Sequence, residues 1–513
     1  MAELVTYLPI SSPFIRFAGR YVDEAFGVAA GYNFFVFEAA LVPFEIVACN
    51  VIIHYWSDVI PAGGVIAIII CLYGYVNASL RYFGEGRKPV KWNRGGDINL
   101  GLRLVERKTE QDNLLTPVNV WQSHQHLRSE MVWGVRVLAG PGQGGADHRL
   151  DRVHVRFILY PIFITMLGGN PQHDRFGFRY WRDPGSFAPL YKTGATGRFL
   201  GFLQCLILAS FTIAGPDYVS MAAGEAENPR VVMPRAYNKV FGRLMAFFVL
   251  GSLAVGINVP YNDKELTEAY STGAPGAAAS PYVVAMNRLG ITVMPDIVNA
   301  LVLSASFSAG NSYVYCASRS LFGLALEGKA PKIFTRCTRN GVPIYCVALV
   351  LLISLLSFLQ VSNSSAVVLS WFVNLVTASQ LINFTVMSYT FICFKNACEA
   401  QGLSRDSLPY KGFGQPYIAW YALVLTFTMT FVGGYPVFLS GQWSIPTFLF
   451  SYTMIAVFPI LFVGWKLLKR TKWLKPSEVD LYKDVEEIEE YQRSYVPTPP
   501  RNKLQYVLDK VFN

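Results

Sequence analysis

Long apolar runs recur along this chain of 513 residues and restrict what it can fold into. Hydrophobic residues make up 52% of the chain and charged residues 15%, and the apolar residues are gathered into long runs rather than spread with amphipathic periodicity. A segment that crosses a bilayer must satisfy its backbone hydrogen bonds internally, as a helix does. The sequence therefore predicts an all-α, polytopic membrane protein.

Nine of the apolar runs are predicted as firm membrane spans. They lie at about residues 26–56, 59–77, 199–223, 244–260, 297–315, 345–361, 366–394, 417–439 and 447–467. The net charge is +10, but Lys and Arg lie at the ends of apolar runs, where they set topology, so the charge does not indicate a nucleic-acid partner. The alternation of basic loops predicts a cytoplasmic C-terminus.

The run at residues 199–223 contains a helix-breaking sequence. Gly215 disfavours a helix, and Pro216 removes a backbone donor and clashes with the preceding turn. Non-helical backbone at membrane depth is tolerated only where it lines a cavity, and the carboxylate of Asp217 is costly there without a partner. Secondary transporters build substrate sites from this combination. We predict a broken helix at a substrate site; the alternative is a proline-kinked structural helix with a snorkelling Asp217.

Two acidic residues, Glu38 and Glu45, lie in the first predicted span, seven residues apart and therefore on one helical face. Intramembrane acids are rare and usually functional, so each is a candidate for a polar or coupling role. The alternative for each is a buried, hydrogen-bonded structural role. Glu45 is expected toward the outer end of the span, where water could solvate it.

Residues 86–156 differ from the rest of the chain. They hold twelve Lys or Arg, seven Asp or Glu and four of the six His, without a run that could cross a bilayer. We predict a disordered insert. The next run, residues 157–169, is about 20 Å of helix against a hydrocarbon core of about 30 Å, which makes it a partial span. The predicted segments are a lead-in with two spans (1–85), the insert (86–156), the remaining spans (157–472) and a cytoplasmic tail (473–513).

The eight cysteines and six histidines indicate neither a disulfide framework nor a metal site. Most of the cysteines lie within or at the edges of apolar runs, and the sequence contains no CxxC. The histidines at 124, 126, 148 and 154 have no standard ligand spacing. We predict no metal and no cofactor. A channel or membrane-embedded enzyme is disfavoured because the spans carry no metal cluster or nucleophile motif.

Several motifs resemble those of one family. SFTIAGPDYVSMAAGEAENPR, VPYNDKEL, SAGNSYVYCASRSLFGLALEGKAPKIF and MLGGNPQHDRFGFRYWRDPG together resemble the fungal amino-acid permeases of the amino acid/polyamine/organocation superfamily. The resemblance covers about residues 1–85 and 160–485. It implies a leucine-transporter-like fold of twelve helices, in which the first ten form two inverted repeats and the first and sixth are unwound around the substrate.

The resemblance also implies site residues. Residues 199–223 correspond to the sixth helix of the family, so Phe211, Ala214, Gly215 and Asp217 take its substrate-binding positions, with the acid and free carbonyls facing the substrate's amino group. Pro216 stands where many members have Ser, and Glu38 where relatives often have a neutral amide.

Other parts of the family pattern are missing. Nothing matches the glycine-rich first helix, Ala2-Glu3-Leu4 resembles the end of the second, and the fifth, with its lysine thought to take part in proton coupling, is unmatched. Read one base out of frame with freely chosen codons, residues 136–155 can encode EFWLALGKVVLIIGLIVFTF, an apolar span with that lysine. We therefore expect an incomplete fold that arises from a retained intron, a frame error and a late start.

The function implied by the resemblance is secondary active, proton-coupled uptake of amino acids across the plasma membrane. Its partners are then the amino-acid substrate, protons and the lipid bilayer, and the chain as printed is expected to be inactive. The alternative is a non-transporting nutrient sensor or regulator of other carriers, with the cytoplasmic tail as its output.

Overall fold

The computed structural model describes thirteen stretches of the chain. These are residues 1–10, 13–79, 169, 173–175, 177–212, 216–221, 223, 226, 228–272, 280–290, 294–338, 341–362 and 364–495. Within them the regular structure is entirely helical, which confirms the all-α class. The predicted insert and, apart from Gly169, the predicted partial span lie outside the described residues.

Sixteen α-helices are described. They are α1 (Ala2–Tyr7), α2 (Pro13–Tyr21), α3 (Glu24–Ile53), α4 (Ala62–Ser79), α5 (Gly194–Thr212), α6 (Pro216–Met221), α7 (Pro229–Leu244), α8 (Gly251–Asn258), α9 (Lys264–Thr272), α10 (Pro281–Arg288), α11 (Met294–Leu326), α12 (Ile344–Ser354), α13 (Ser365–Ala400), α14 (Tyr417–Val432), α15 (Ile445–Lys469) and α16 (Val485–Ser494). A π-helical segment, Met245–Leu250, joins α7 to α8, and a 3₁₀ segment, Leu355–Val361, follows α12.

Helices are present at all nine predicted spans, but they differ in length and polarity. By length and composition, six helices of the described part could cross a membrane: Glu24–Ile53, Gly194–Thr212, Pro229–Asn258, Ile344–Val361, Val367–Ala400 and Ile445–Lys469. Two shorter apolar helices, Ala62–Asn77 and Tyr417–Val432, add to them. The long helix α11 is not among the six, because its serines and asparagines lower its hydropathy.

The described residues fall into two compact units. The first lies within Met1–Asp112, Phe199–Tyr237 and Val302–Ile488, and the second within Asn113–Arg198, Asn238–Leu301 and Glu489–Asn513. In the second unit, Arg288 forms an ion pair with Asp263 at 2.6 Å and lies over the ring of Tyr180, 5.2 Å from its centroid. These contacts join the segment before α9 to the end of α10.

The first unit is built around α3. This helix begins where the buried Asp23 accepts a hydrogen bond from the amide of Ala25 at 2.9 Å, which caps the helix. It then packs against α2, α12, α13 and α15. The backbones of α2 and α3 approach closely: a Cβ added to Gly27 would lie 2.6 Å from the amide nitrogen of Gly19, so only a glycine fits.

A second close contact joins α4 to α11. A Cβ on Gly310 would lie 2.1 Å from the hydroxyl of Tyr73, so the glycine makes room for the tyrosine ring. One turn further along α4, the side-chain amide of Asn77 donates to the side-chain oxygen of Asn311 at 2.8 Å. Small residues and interhelical amide bonds are the contacts that associate helices in lipid, where hydrophobic burial adds little.

Candidate functional site

Two helices of the first unit flank the predicted break. α5 ends at Thr212 and α6 begins at Pro216, and the three residues between them lie outside the described part of the chain. Pro216 is the first described residue of α6, and the first turn of a helix is the position that tolerates a proline.

The helix α3 contacts the helices on both sides of this break. On one side, the rings of Phe44 and Phe211 meet edge to face with centroids 5.4 Å apart. On the other, the hydroxyl of Tyr218 donates to Oε2 of Glu38 at 3.3 Å. Glu38 and Phe44 are six residues apart, about 9 Å along the axis of α3. One rigid helix thus contacts both α5 and α6.

Glu38 is fully buried, with 0% of its surface exposed. A carboxyl group at such a position is expensive unless hydrogen-bonded, and the phenol of Tyr218 supplies a bond. The ring of Tyr218 also lies 6.0 Å from that of Tyr313 on α11. Tyr218 therefore connects α6 to both α3 and α11.

A buried amide network lies close to Glu38 on the same helix. The side-chain amide of Asn33 donates to the backbone carbonyl of Ser379 at 2.9 Å and to the side-chain oxygen of Asn383 at 2.8 Å. All three residues are fully buried. The network ties α3 to α13, and it makes α3 a fixed support for the groups at the break.

The predicted site residues are only partly described. Phe211 lies at the end of α5 in contact with α3, whereas Ala214 and Gly215 lie outside the described residues. Asp217 has its backbone in α6, and its side chain is not described. Glu45 is buried on α3, about two helical turns beyond Glu38, with 6% of its surface exposed.

Sequence reasoning missed Tyr218. It singled out Glu38 without naming a partner, although a tyrosine follows directly after Asp217. A hydroxyl-bearing aromatic residue in an otherwise apolar span is the signal that could have identified the donor, because a buried tyrosine hydroxyl usually finds a hydrogen-bond partner.

The described residues contain no group of three or more His, Cys, Asp or Glu that could hold a metal ion. All eight cysteines fall within the described ranges, and each has a free thiol. The groups described beside the predicted break are the carboxyl group of Glu38, the phenol of Tyr218 and the aromatic rings of Phe44 and Phe211.

A bundle of apolar helices, in which one helix pair flanks a predicted break and a buried acid lies beside it, is typical of polytopic membrane transporters. The family model described as "Amino acid permease" matches residues 1–86 and 153–477. The chain belongs to the amino acid permease family, and it is a transporter, not an enzyme. The family match leaves out residues 87–152, which fall within the predicted insert.

Curated relatives agree with this assignment. The general amino acid permease AGP2 of Saccharomyces cerevisiae is 42% identical over 501 residues, 96% of this chain and 74% of the relative. A proline-specific permease of Emericella nidulans is 35% identical over 516 residues, covering 100% of this chain and 83% of the relative. A dicarboxylic amino acid permease of Saccharomyces cerevisiae is 32% identical over 487 residues, 94% of this chain and 70% of the relative.

Proposed function

We propose that the protein takes up amino acids across the plasma membrane, driven by the proton gradient, through alternating access around the break between α5 and α6. Membership of the amino acid permease family supports the substrate class. The leucine-transporter-like inverted repeats and the cytoplasmic C-terminus are part of this proposal, and they rest on the sequence resemblance and on the positions of basic residues.

The observation that carries the mechanism is the pair of contacts from α3 to both sides of the break. Phe44 meets Phe211 before it, and Glu38 accepts a hydrogen bond from Tyr218 after it. If α5 and α6 change their relative positions during transport, at least one of these contacts must change. The gain or loss of a proton by the carboxyl group of Glu38 can therefore influence the position of α6.

In this mechanism, Asp217 receives the ammonium group of the substrate, together with the backbone carbonyls freed at Ala214 and Gly215, and Phe211 borders the site. Glu38 takes the coupling proton, and Tyr218 holds its carboxyl group in place. Glu45, on the same face of α3, is a second polar position along the path. These roles give Asp217 and Glu38 a partner each, which offsets the free-energy cost of burying an unpaired acid in the membrane.

The test is uptake of radiolabelled amino acids by cells that lack their own permeases. The gene is expressed with its own flanking sequence, and surface delivery is measured in parallel. Saturable uptake that increases as the external pH falls is the expected result. Normal surface delivery without uptake would instead favour the alternative of a non-transporting sensor.

We also propose that the chain as printed is inactive. Residues 86–156 interrupt the family pattern, and the family match resumes only at residue 153. Sequencing the transcript through codons 86–156 tests this directly. A spliced transcript in which codons 136–155 are read in the shifted frame is expected, and a transcript that keeps the printed frame would overturn the proposal.

A further inference from the structure

The segment that follows the last long helix docks back on the start of the chain. Beyond α15, residues 473–488 form what we call the tail segment. The amide of Leu474 donates to the carbonyl of Val22 at 3.0 Å, and the hydroxyl of Tyr7 donates to the carbonyl of Leu481 at 3.2 Å. The sequence predicted only a tail at residues 473–513, and these contacts show that its first part is docked.

Arg20, in the last turn of α2, is the main polar anchor of the tail segment. Its guanidinium donates to the carbonyls of Asp480 at 2.8 Å and Lys483 at 2.6 Å, and it pairs with the carboxylate of Asp484 at 3.1 Å. The side chain of Arg20 is only 13% exposed. A planar guanidinium with three partners in one short segment fixes the orientation of that segment as well as its position.

Apolar burial adds to this anchor. The tail segment contributes four buried side chains to a hydrophobic cluster, which we call the tail cluster: Val479, Leu481, Val485 and Ile488. The same cluster includes residues of α1, α2 and the end of α13. The tail is therefore held by both polar and apolar contacts, as an internal part of the first unit.

The tail cluster extends to the second half of the broken helix. Val219 of α6 packs against it, and Met233 and Tyr237 of α7 are among its buried members. Moreover, α2 packs directly on α6, and Arg230 at the start of α7 donates to the carbonyl of Tyr7 at 3.3 Å. The helices that carry the tail's anchor are thus the helices that hold α6 and α7.

We propose that the tail segment is a latch on α6. While it is docked, it clamps α1 and α2 against α6 and α7, and the second half of the broken helix moves only when the tail segment loosens. This inference rests on the proposed function, because α6 is the element expected to move during transport. It assigns to residues 473–488 a regulatory contact within the chain: a signal that detaches the tail would free α6.

Hydrogen exchange measured by mass spectrometry on the purified full chain in detergent tests the latch. Three peptides are compared: one covering residues 474–488, one covering α6, and one covering α12, which packs in a separate hydrophobic cluster, as an internal reference. In Arg20→Ala, the tail and α6 peptides should both exchange at least about tenfold faster, the factor expected from the loss of one charged hydrogen bond. The α12 peptide should be unchanged. Lys472→Ala, which removes an exposed positive charge from the same region, should behave like the wild type.

Faster exchange in the tail alone, or in neither peptide, would overturn the proposal. If Arg20→Ala also loosens α12, Asp484→Asn is the deciding variant, because it removes one carboxylate charge from the tail side and leaves both carbonyl bonds of Arg20 in place. The same joint increase in tail and α6 exchange is then required. The measurement uses no substrate. A failure to transport would therefore refute the proposed function without affecting the latch proposal. A failure of the exchange test would refute the latch without affecting the proposed function.

Discussion

The hydrogen bond between Tyr218 and Glu38 gives a quantitative prediction. Tyr218→Phe removes one donor and keeps the ring that lies 6.0 Å from Tyr313. A hydrogen bond contributes about 0.5–1.5 kcal/mol, or about 1.5–3 kcal/mol when one partner is charged. The observed 3.3 Å is longer than the usual O–H···O distance of about 2.7 Å, which favours the lower values. We expect a loss of about 1 kcal/mol in the free energy of unfolding, roughly fivefold in the equilibrium constant.

The assay is unfolding of the purified protein by SDS titration, followed by circular dichroism. Tyr421→Phe is the matched control, because Tyr421 is 70% exposed on α14. Repeating Tyr218→Phe in a Glu38→Gln background separates charge from hydrogen bonding. The glutamine oxygen still accepts from the phenol, so a cost that falls by about half indicates a charged carboxylate at Glu38, and an unchanged cost indicates a neutral carboxyl group. If Tyr218→Phe costs no more than Tyr421→Phe, the proposed support of α6 by α3 is wrong.

Three further predictions concern other parts of the chain. Asp217→Asn keeps the shape of the side chain and removes its charge, so uptake should fall while surface delivery persists; unchanged uptake kinetics would exclude the proposed substrate role. Gly27→Ala should destabilise the protein by about 1–3 kcal/mol in SDS unfolding, because the new methyl group meets the backbone of α2, whereas Gly242→Ala, with nothing within 4 Å, should not. Burial raises the pKa of Tyr7 to about 12. The stability linked to this raised pKa is complete below the unfolded-state pKa of about 10, and it is lost as the pH rises through the folded-state pKa. Wild-type stability should therefore fall more steeply above pH 10 than that of Tyr7→Phe.

The helical class of the protein could be predicted from the sequence because membrane burial leaves few alternatives. Apolar runs must be helices if they are to satisfy their own backbone, so the helices α3, α13 and α15 follow almost directly from composition. In these segments the local sequence is enough to predict a helix, whichever elements pack against it. The break between α5 and α6 stays a prediction from Gly215 and Pro216, because residues 213–215 lie outside the described part of the chain.

The contacts between distant segments could not be predicted in this way. The bond between Tyr218 and Glu38 joins residues 180 positions apart, and Arg20 contacts Asp480 in the tail 460 positions away. A local sequence pattern does not predict such pairings, because it shows which face of a helix is buried but not which segment packs against that face. The docking of the tail on α2 therefore could not be predicted from the sequence, and the structure was needed to show it.

We propose that the predicted break between α5 and α6 is an amino-acid site supported by α3. Uptake of radiolabelled amino acids tests this proposal most directly, in permease-deficient cells that express the gene with its own flanking sequence, unaltered or carrying Asp217→Asn or Tyr218→Phe, at equal surface density. We expect saturable uptake by the unaltered gene product, strong loss in Asp217→Asn and a smaller loss in Tyr218→Phe. Equal uptake by all three proteins would contradict it.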